Sequence, residues 1–286
     1  MDHRRAAGFD ESTGLRQRAR MKKRVTRPSA PPSGSRPSSS RPPPSGESPR
    51  HGLARALSRR GYCSRSQAEA LVRAGRVELN ERVVHDPETP TLPQDRIRVD
   101  GVAVAAAEAV WILLNKPRGY VTTARDERGR DTVYALIDDA ALPWLAPIGR
   151  LDKASEGLLL FCNDSAAAAR LTAPESHVAK TYHVQVDCLP DDALLARLRA
   201  GIEDRGERLA ARSVALLRRG EKNAWLEIVL DEGRNRHIRR LLDAHGIAVL
   251  RLIRVAIGGL ALGDLAKGQW RRLDAAEIAA LTAAAG

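Results

Sequence analysis

From about residue 109 to residue 275 the chain alternates patterns typical of strands with patterns typical of helices, and this alternation constrains the fold more than any other feature. The strand-like segments are VWILLNKP, EGLLLFCND, KTYHVQVDC and NAWLEIVLDEG, and the helical segments are PDDALLARLRAG and RNRHIRRLLDAHG. Strands of this kind pair with distant partners, and the helices cover them. We therefore predict an α+β fold with a mixed, mostly antiparallel sheet flanked by helices.

Residues 1–50 differ in composition from the rest of the chain. They are rich in Pro, Ser and Arg and offer little that a core could bury, so we predict a disordered tail. The tail holds 12 basic and 4 acidic residues, which supplies +8 of the net charge of +12. Charge of this sign favours a polyanionic partner, nucleic acid before an anionic membrane surface. Loose, salt-dependent RNA binding and a solubilising role are both open for the tail.

Residues 51–103 are predicted to form a small domain with two short helices. A capping box begins the second helix, either Ser64 with Gln67 or Ser66 with Glu69, and Gly75 ends it. RVELNERVV indicates a hairpin and DRIRVDG a closing strand. Arginines are dense on the exposed side, and we expect them to form a phosphate-binding surface. They are Arg59, Arg60, Arg65, Arg73, Arg76 and Arg82.

The cysteines and histidines do not form the patterns that indicate disulfides or metal sites. Cys63, Cys162 and Cys188 are far apart and odd in number, which favours reduced thiols in a cytosolic protein. No pair of histidines has metal-ligand spacing beside a carboxylate or thiol, so we predict no metal. No apolar run approaches the ~18 residues of a membrane span, and the N-terminus lacks a secretory pattern. We therefore expect a cytoplasmic protein with no membrane partner.

Residues 149–161, GRLDKASEGLLLF, place charged side chains at the start of an apolar strand. Arg150 and Asp152 would cost desolvation energy there unless they are paired or needed for chemistry. A surface ion pair between these two residues, of little energetic value, is the simplest interpretation. The later helix offers another one, because an arginine beside Asp152 would keep the carboxylate ionised while water is excluded. Asp152 is then a candidate nucleophile or base.

Helical spacing divides the segment GRNRHIRRLLDAHG into two faces. The buried stripe is predicted to be Ile238, Leu241, Leu242 and His245. The basic residues, predicted to share roughly the opposite face, are Arg236, Arg239 and Arg240.

Four blocks in this order resemble pseudouridine synthases of the RsuA/RluB/RluE/RluF group: LLNKPRGYVTT, GRLDKASEGLLLFCND, KTYHVQV and EGRNRHIRRLLDAHGIAVLRLIRVAIGGL. KGQWRRL near the end matches as well. The segment CSRSQAEALVRAGRVELNERVV resembles the small RNA-binding domain named after the fourth protein of the ribosomal small subunit, with Glu81 where glycine is common. The resemblance extends over nearly everything after residue 50 and implies a catalytic domain at 108–276. The departures from the group's common residues are Ser165, His237 and Leu241.

The resemblance implies roles for individual residues. Asp152 would be the nucleophile, Tyr182 would stack on a flipped base and assist proton transfer, and Arg239 would be the basic partner of Asp152. Without the resemblance, a core tyrosine on a strand is the alternative for Tyr182. The implied substrate-binding residues are Arg150, Lys180, Arg236 and Leu252. The implied RNA-facing residues of the small domain are Arg65, Arg73 and Arg76.

The implied reaction converts a uridine of ribosomal RNA into pseudouridine by base flipping. Product and substrate contain the same atoms, so no cofactor is required. Likeness to the group favours the large ribosomal subunit as substrate, and we expect a monomer. Three alternatives are open: a non-catalytic RNA-binding or ribosome-assembly factor, a small-subunit enzyme and a transfer-RNA enzyme. The set Asp152, Tyr182 and Arg239 favours an enzyme, because a binding module does not need it.

Overall fold

The computed structural model describes residues 51–105, 108–124, 126–139 and 141–285. The predicted basic tail lies outside these residues. No helix in the described ranges is long and apolar enough to cross a membrane.

The small domain contains two helices and six short strands. They are β1 (His51–Gly52), α1 (Leu53–Arg59), α2 (Arg65–Arg73), β2 (Val77–Leu79), β3 (Arg82–Val84), β4 (Pro90–Thr91), β5 (Ile97–Val99) and β6 (Val102–Ala103). The first of the two predicted capping boxes begins α2, because the Ser64 hydroxyl accepts from the Gln67 N–H and the Gln67 side chain accepts from the Ser64 N–H. Apolar residues of α1, α2 and β5 form one core, in which Leu57, Val72 and Ile97 are buried.

The predicted hairpin is formed by β2 and β3, and its turn requires an unusual backbone. Asn80 and Glu81 have φ of 49° and 69°, the left-handed values of a two-residue hairpin turn. Glycine adopts this conformation without steric cost, whereas Glu81 does not. The antiparallel sheet of this domain has the order β3-β2-β5-β6.

The described residues that follow the small domain form a nine-stranded sheet with helices. The elements are β7 (Trp111–Lys116), the 3-10 helix η1 (Val133–Leu136), β8 (Ala146–Ile148), β9 (Glu156–Cys162), α3 (Ser165–Thr172), the 3-10 helix η2 (Pro174–Ser176), β10 (Lys180–Val186), α4 (Asp192–Ala200), β11 (Ile202–Asp204), β12 (Glu207–Leu209), β13 (Ser213–Arg219), β14 (Ala224–Leu230), α5 (His237–Asp243), β15 (Val249–Ile257), β16 (Leu260–Ala261), β17 (Trp270–Arg272) and α6 (Ala275–Ala283). Seven strands follow the order β13-β14-β10-β15-β9-β7-β17, while β8 pairs with β9 and β16 with β15. Strands β11 and β12 form a separate hairpin.

All strand pairs of the large sheet are antiparallel except one, so the predicted mixed, mostly antiparallel α+β fold is confirmed. The exception is the parallel pair of β9 and β15, which joins the β7–β9 half of the sheet to the β10–β14–β15 half. Only two residue pairs make this junction, Ile253 with Glu156 and Arg254 with Gly157.

Strand β9 is buried along its whole length because both of its faces are covered. Leu158 and Leu160 pack with α3 and α6 on one face, while Leu159 and Phe161 pack with the η1 region on the other. Strands β10 and β14 instead alternate buried and partly exposed residues, since only one of their faces is covered by α4 and α5.

Gly157 is required at the junction. Its φ is +99°, and a Cβ there would overlap the carbonyl oxygen of Arg254 and lie 2.9 Å from the Arg254 nitrogen. Only a residue without a side chain lets the two backbones come this close.

Candidate active site

A cavity of about 480 Å³ opens where β9, β10, β15 and the start of α5 converge. All seven side chains predicted to act in catalysis or substrate binding line it: Arg150, Asp152, Lys180, Tyr182, Arg236, Arg239 and Leu252. A volume of this size is typical of sites that enclose a small organic ligand. The fold thus brings these residues together, while their individual roles stay predictions.

Asp152 lies in the loop between β8 and β9, as the sequence predicts, and several hydrogen bonds fix this loop. The Ser155 N–H donates to the Asp152 carbonyl at 2.9 Å, and the Thr122 hydroxyl donates to the Leu151 carbonyl at 2.8 Å. The loop therefore presents the Asp152 carboxylate from a defined backbone position.

Lys116, which is not among the predicted site residues, holds the same loop through hydrogen bonds to its main chain. Its side chain is fully buried, and Nζ donates to the carbonyls of Pro117, Asp152 and Ser155 at 3.0, 3.1 and 2.8 Å. Burial lowers the pKa of Lys116 to about 8, and the negative charges of Asp152 and Glu156 oppose that shift. Three main-chain acceptors compensate the desolvation cost of the buried Lys116 ammonium. The position of the ammonium and the position of the loop therefore depend on each other.

The ion pair of Asp152 differs from the prediction. Its carboxylate lies 3.7 Å from Nη1 of Arg236, and Nη2 of Arg239 instead donates to the Ala154 carbonyl at 3.2 Å. Arg239 is close enough to feel the charge of Asp152, which opposes the lowering of its pKa by burial and by Arg236. Two guanidinium groups therefore face the carboxylate, with Arg236 the nearer. The Asp152 side chain keeps 37% of its surface exposed, so the carboxylate is accessible from solvent.

The predicted basic face of α5 is wrong because the helix begins later than the pattern suggests. Arg236 is the N-cap residue with φ of 50° and lies outside the helix. Arg240 is not among the residues that line the cavity, and it pairs with Asp204 and Glu207 of the β11–β12 hairpin. His245 follows the end of the helix, and His237 takes a buried place that the predicted stripe did not include.

Tyr182 and Leu252 form the apolar side of the cavity. Both are buried, Tyr182 on β10 and Leu252 on the adjacent β15, and both belong to the core that α4 and α5 cover. Lys180 lies two residues before Tyr182 on the same strand face, and Arg150 is exposed at the rim. The cavity thus combines a carboxylate, several cations and an aromatic ring, which suits a planar polar group attached to a polyanion.

Comparison with known proteins identifies the family. The RNA pseudouridylate synthase family model matches residues 110–244, and the S4 domain model matches residues 52–97. A protein of Aquifex aeolicus (strain VF5), named an uncharacterized RNA pseudouridine synthase, is 38% identical over 80% of this chain and 93% of its own length. The chain belongs to the RNA pseudouridine synthase family.

Two further matches cover most of this pseudouridine synthase. Ribosomal large subunit pseudouridine synthase B of Bacillus subtilis (strain 168) is 34% identical over 82% of this chain and 96% of its own length. A crystal structure of a pseudouridylate synthase superposes with a TM-score of 0.57 at 29% identity, covering 82% of this chain and all of the other. The protein is therefore an enzyme, an isomerase that acts on RNA.

The small domain of this pseudouridine synthase carries the three arginines predicted to face RNA, and all three pair with nearby carboxylates. Arg65 lies 3.0 Å from Glu88, Arg73 lies 3.7 Å from Glu69, and Arg76 pairs with Asp100. All three arginines are exposed, so these ion pairs are weak, and RNA phosphates can compete with the carboxylates for the arginines.

Arg60 is an exception to the predicted phosphate-binding surface. Its guanidinium donates to the carbonyls of Pro93, Asp95 and Val104, and it is partly buried. It ties the end of α1 to the strands and is not free to bind phosphate.

Proposed function

We propose that this enzyme converts a specific uridine of large-subunit ribosomal RNA into pseudouridine, with Asp152 as the nucleophile. The observation that carries the proposal is the cavity, which an aspartate beside two guanidinium groups shares with a buried tyrosine. A uridine must leave its stack to reach such a group, and an aromatic face compensates part of that cost.

Each cavity residue has a separate role in the proposed reaction. The guanidinium groups of Arg236 and Arg239 supply positive charge beside the Asp152 carboxylate, which acts as the nucleophile. Tyr182 offers its ring to the flipped base and its hydroxyl for proton transfer, and Leu252 packs against the base. The glycosidic bond between N1 and C1′ breaks, the uracil turns, and C5 bonds to C1′. The bond that Asp152 forms as nucleophile breaks again before the product leaves, the C5 proton is lost and N1 gains a proton, so the atoms balance without a co-reactant.

The choice of ribosomal RNA has two supports. The relative from Bacillus subtilis is named for the large ribosomal subunit, and the small domain matches the S4 type. Exposed arginines on that domain add a contact surface for phosphate outside the cavity. We also propose that the protein acts as a monomer in the cytoplasm, where its free thiols Cys63, Cys162 and Cys188 stay reduced.

The test uses unmodified transcripts of large-subunit RNA, small-subunit RNA and transfer RNA, with chemical mapping of pseudouridine. We expect product in the large-subunit transcript with wild type and none with Asp152→Asn, while RNA binding stays within about threefold because one rim carboxylate contributes little to phosphate binding. The matched control is Asp243→Asn, since Asp243 is an exposed carboxylate at the end of α5 outside the cavity.

Each outcome bears on a different part of the proposal. Product in the small-subunit or transfer-RNA transcript alone would contradict the RNA assignment. Equal product from wild type and Asp152→Asn would exclude the aspartate as nucleophile, and no product from wild type in any transcript would favour a binding factor.

A further inference from the structure

Arg254 lines the same cavity and is not among the residues that the mechanism above uses. It lies on β15 and is only 5% exposed. Its Nε donates to the Leu158 carbonyl at 2.8 Å, and within the described residues this is the one hydrogen bond of its side chain. Nη2 is fully buried and has no partner.

A buried, unpaired donor is costly, and native proteins keep few of them without a reason. Among the described residues, Arg254 also has no carboxylate within ion-pair distance. A guanidinium offers five N–H groups in a planar fork, so most of its hydrogen-bonding capacity is unused. The arrangement is what a ligand-binding group requires before its ligand arrives.

Lys180 adds a second cation beside Arg254. Lys180 lies on β10 and Arg254 on the neighbouring strand β15. Tyr182 pairs with Arg254 in the register of these two strands, and Lys180 lies two residues before Tyr182 on the same face of β10. Burial lowers the pKa of Lys180, the positive charge of Arg254 lowers it further, and the negative charge of Asp231 opposes the shift. The ammonium makes no hydrogen bond or ion pair with any other described residue. Two cations that form no ion pair with a described carboxylate thus line the cavity together with Tyr182.

We propose that Arg254, assisted by Lys180, binds a carbonyl oxygen of the flipped uracil and stabilises the negative charge that the ring carries while it is detached from the ribose. This inference rests on the proposed function. When the bond between C1′ and N1 breaks, its electron pair stays on the uracil and is shared by N1 and the two ring oxygens. When C5 bonds to C1′, the pair returns to that bond. The charge is thus transient, and donors that are already fixed in place, such as the buried Arg254 guanidinium, stabilise it most.

A phosphate of the bound RNA is the other acceptor that two cations would suit. The two acceptors predict different kinetics. A contact with the uracil anion is made mainly during reaction and affects the rate of the bound complex, whereas a phosphate contact is equally strong before reaction and affects RNA affinity.

The test compares wild type with Arg254→Lys, which keeps the charge but removes the fork, and with Lys180→Met, which removes the second cation. The substrate is the ribosomal transcript that wild type modifies, and the measurements are the single-turnover rate at saturating enzyme and the dissociation constant of the RNA. We expect Arg254→Lys to lower the rate by about 10²- to 10³-fold, the effect of losing one transition-state donor. We expect a smaller drop for Lys180→Met and RNA affinity within threefold in both.

Arg251→Lys is the matched control, because Arg251 lies on the same strand but pairs with Glu156 outside the cavity. A rate within threefold of wild type in both Arg254→Lys and Lys180→Met would overturn the inference, as would a loss confined to RNA affinity. If Arg254→Lys does not fold by circular dichroism, Lys180→Met decides alone, since Lys180 makes no hydrogen bond whose loss would unfold the protein. Failure of the proposed function has a different signature, namely no pseudouridine from wild type.

Discussion

Gly157→Ala tests whether close backbone contact at the β9–β15 junction holds the two halves of the sheet together. Two costs add. Alanine at φ of +99° is strained by about 1–2 kcal/mol. Its Cβ would also overlap the Arg254 carbonyl oxygen, and relieving such overpacking in a dense interior costs about 1–3 kcal/mol. We expect the free energy of unfolding to fall by about 2–5 kcal/mol, a large share of the ~5–15 kcal/mol of a typical domain.

Gly119→Ala separates these two costs. Gly119 has nearly the same φ, +101°, but a Cβ there would meet nothing within 4 Å. Its substitution should therefore cost only the backbone strain. Urea unfolding monitored by circular dichroism gives both values. Equal destabilisation by the two substitutions would refute the claim that backbone contact with Arg254 excludes a side chain at Gly157.

Two further substitutions test other parts of the structure. Lys116→Met tests the buried ammonium. Between pH 8 and the ordinary lysine pKa of 10.5, the unfolded chain keeps a proton on Lys116 that the folded protein releases. The unfolding free energy of wild type, relative to that of the variant, should therefore rise with pH across this window, by at most about 3 kcal/mol. A pH-independent difference would contradict the lowered pKa. Ser64→Ala should lower the free energy of unfolding by about 1 kcal/mol in thermal or urea unfolding, because it removes the N-cap of α2. Ser66→Ala should be nearly neutral. A larger loss for Ser66→Ala than for Ser64→Ala would contradict the assignment of Ser64 as the N-cap.

The sequence predicted those parts of the fold whose signals are local. The capping residues Ser64 and Gln67 mark the start of α2, and continuous or alternating apolar runs mark β9 and β10. Strand β13 was not predicted, because it is an edge strand in which most side chains are exposed and the alternation is lost. The alanine-rich helices α3 and α6 likewise have a weak apolar pattern.

The sequence predicted the site residues that lie in ordered motifs, but it did not predict positions that depend on tertiary contacts. Asp152, Tyr182 and Leu252 lie in blocks that resemble a family, and they line one cavity. Helical spacing assigned Arg236 to a face of α5, but its left-handed backbone places it before the first residue of the helix. Lys116 lies in the block LLNKPRGYVTT that resembles the family, but its role was not predicted, because its partners are main-chain carbonyls whose positions no sequence pattern reveals.

The division of the large sheet into two antiparallel halves has a consequence for the evolution and dissection of this enzyme. Asp152 and the lysine beneath its loop belong to the β7–β9 half, whereas Tyr182, Arg239 and Leu252 belong to the β10–β14–β15 half. A fragment containing either half therefore lacks part of the reacting set. Because β17 pairs with β7 but follows β15 in the chain, no single cut separates the two halves, and truncation or gene fission inside the catalytic domain would yield a working enzyme only when the two pieces reassociate.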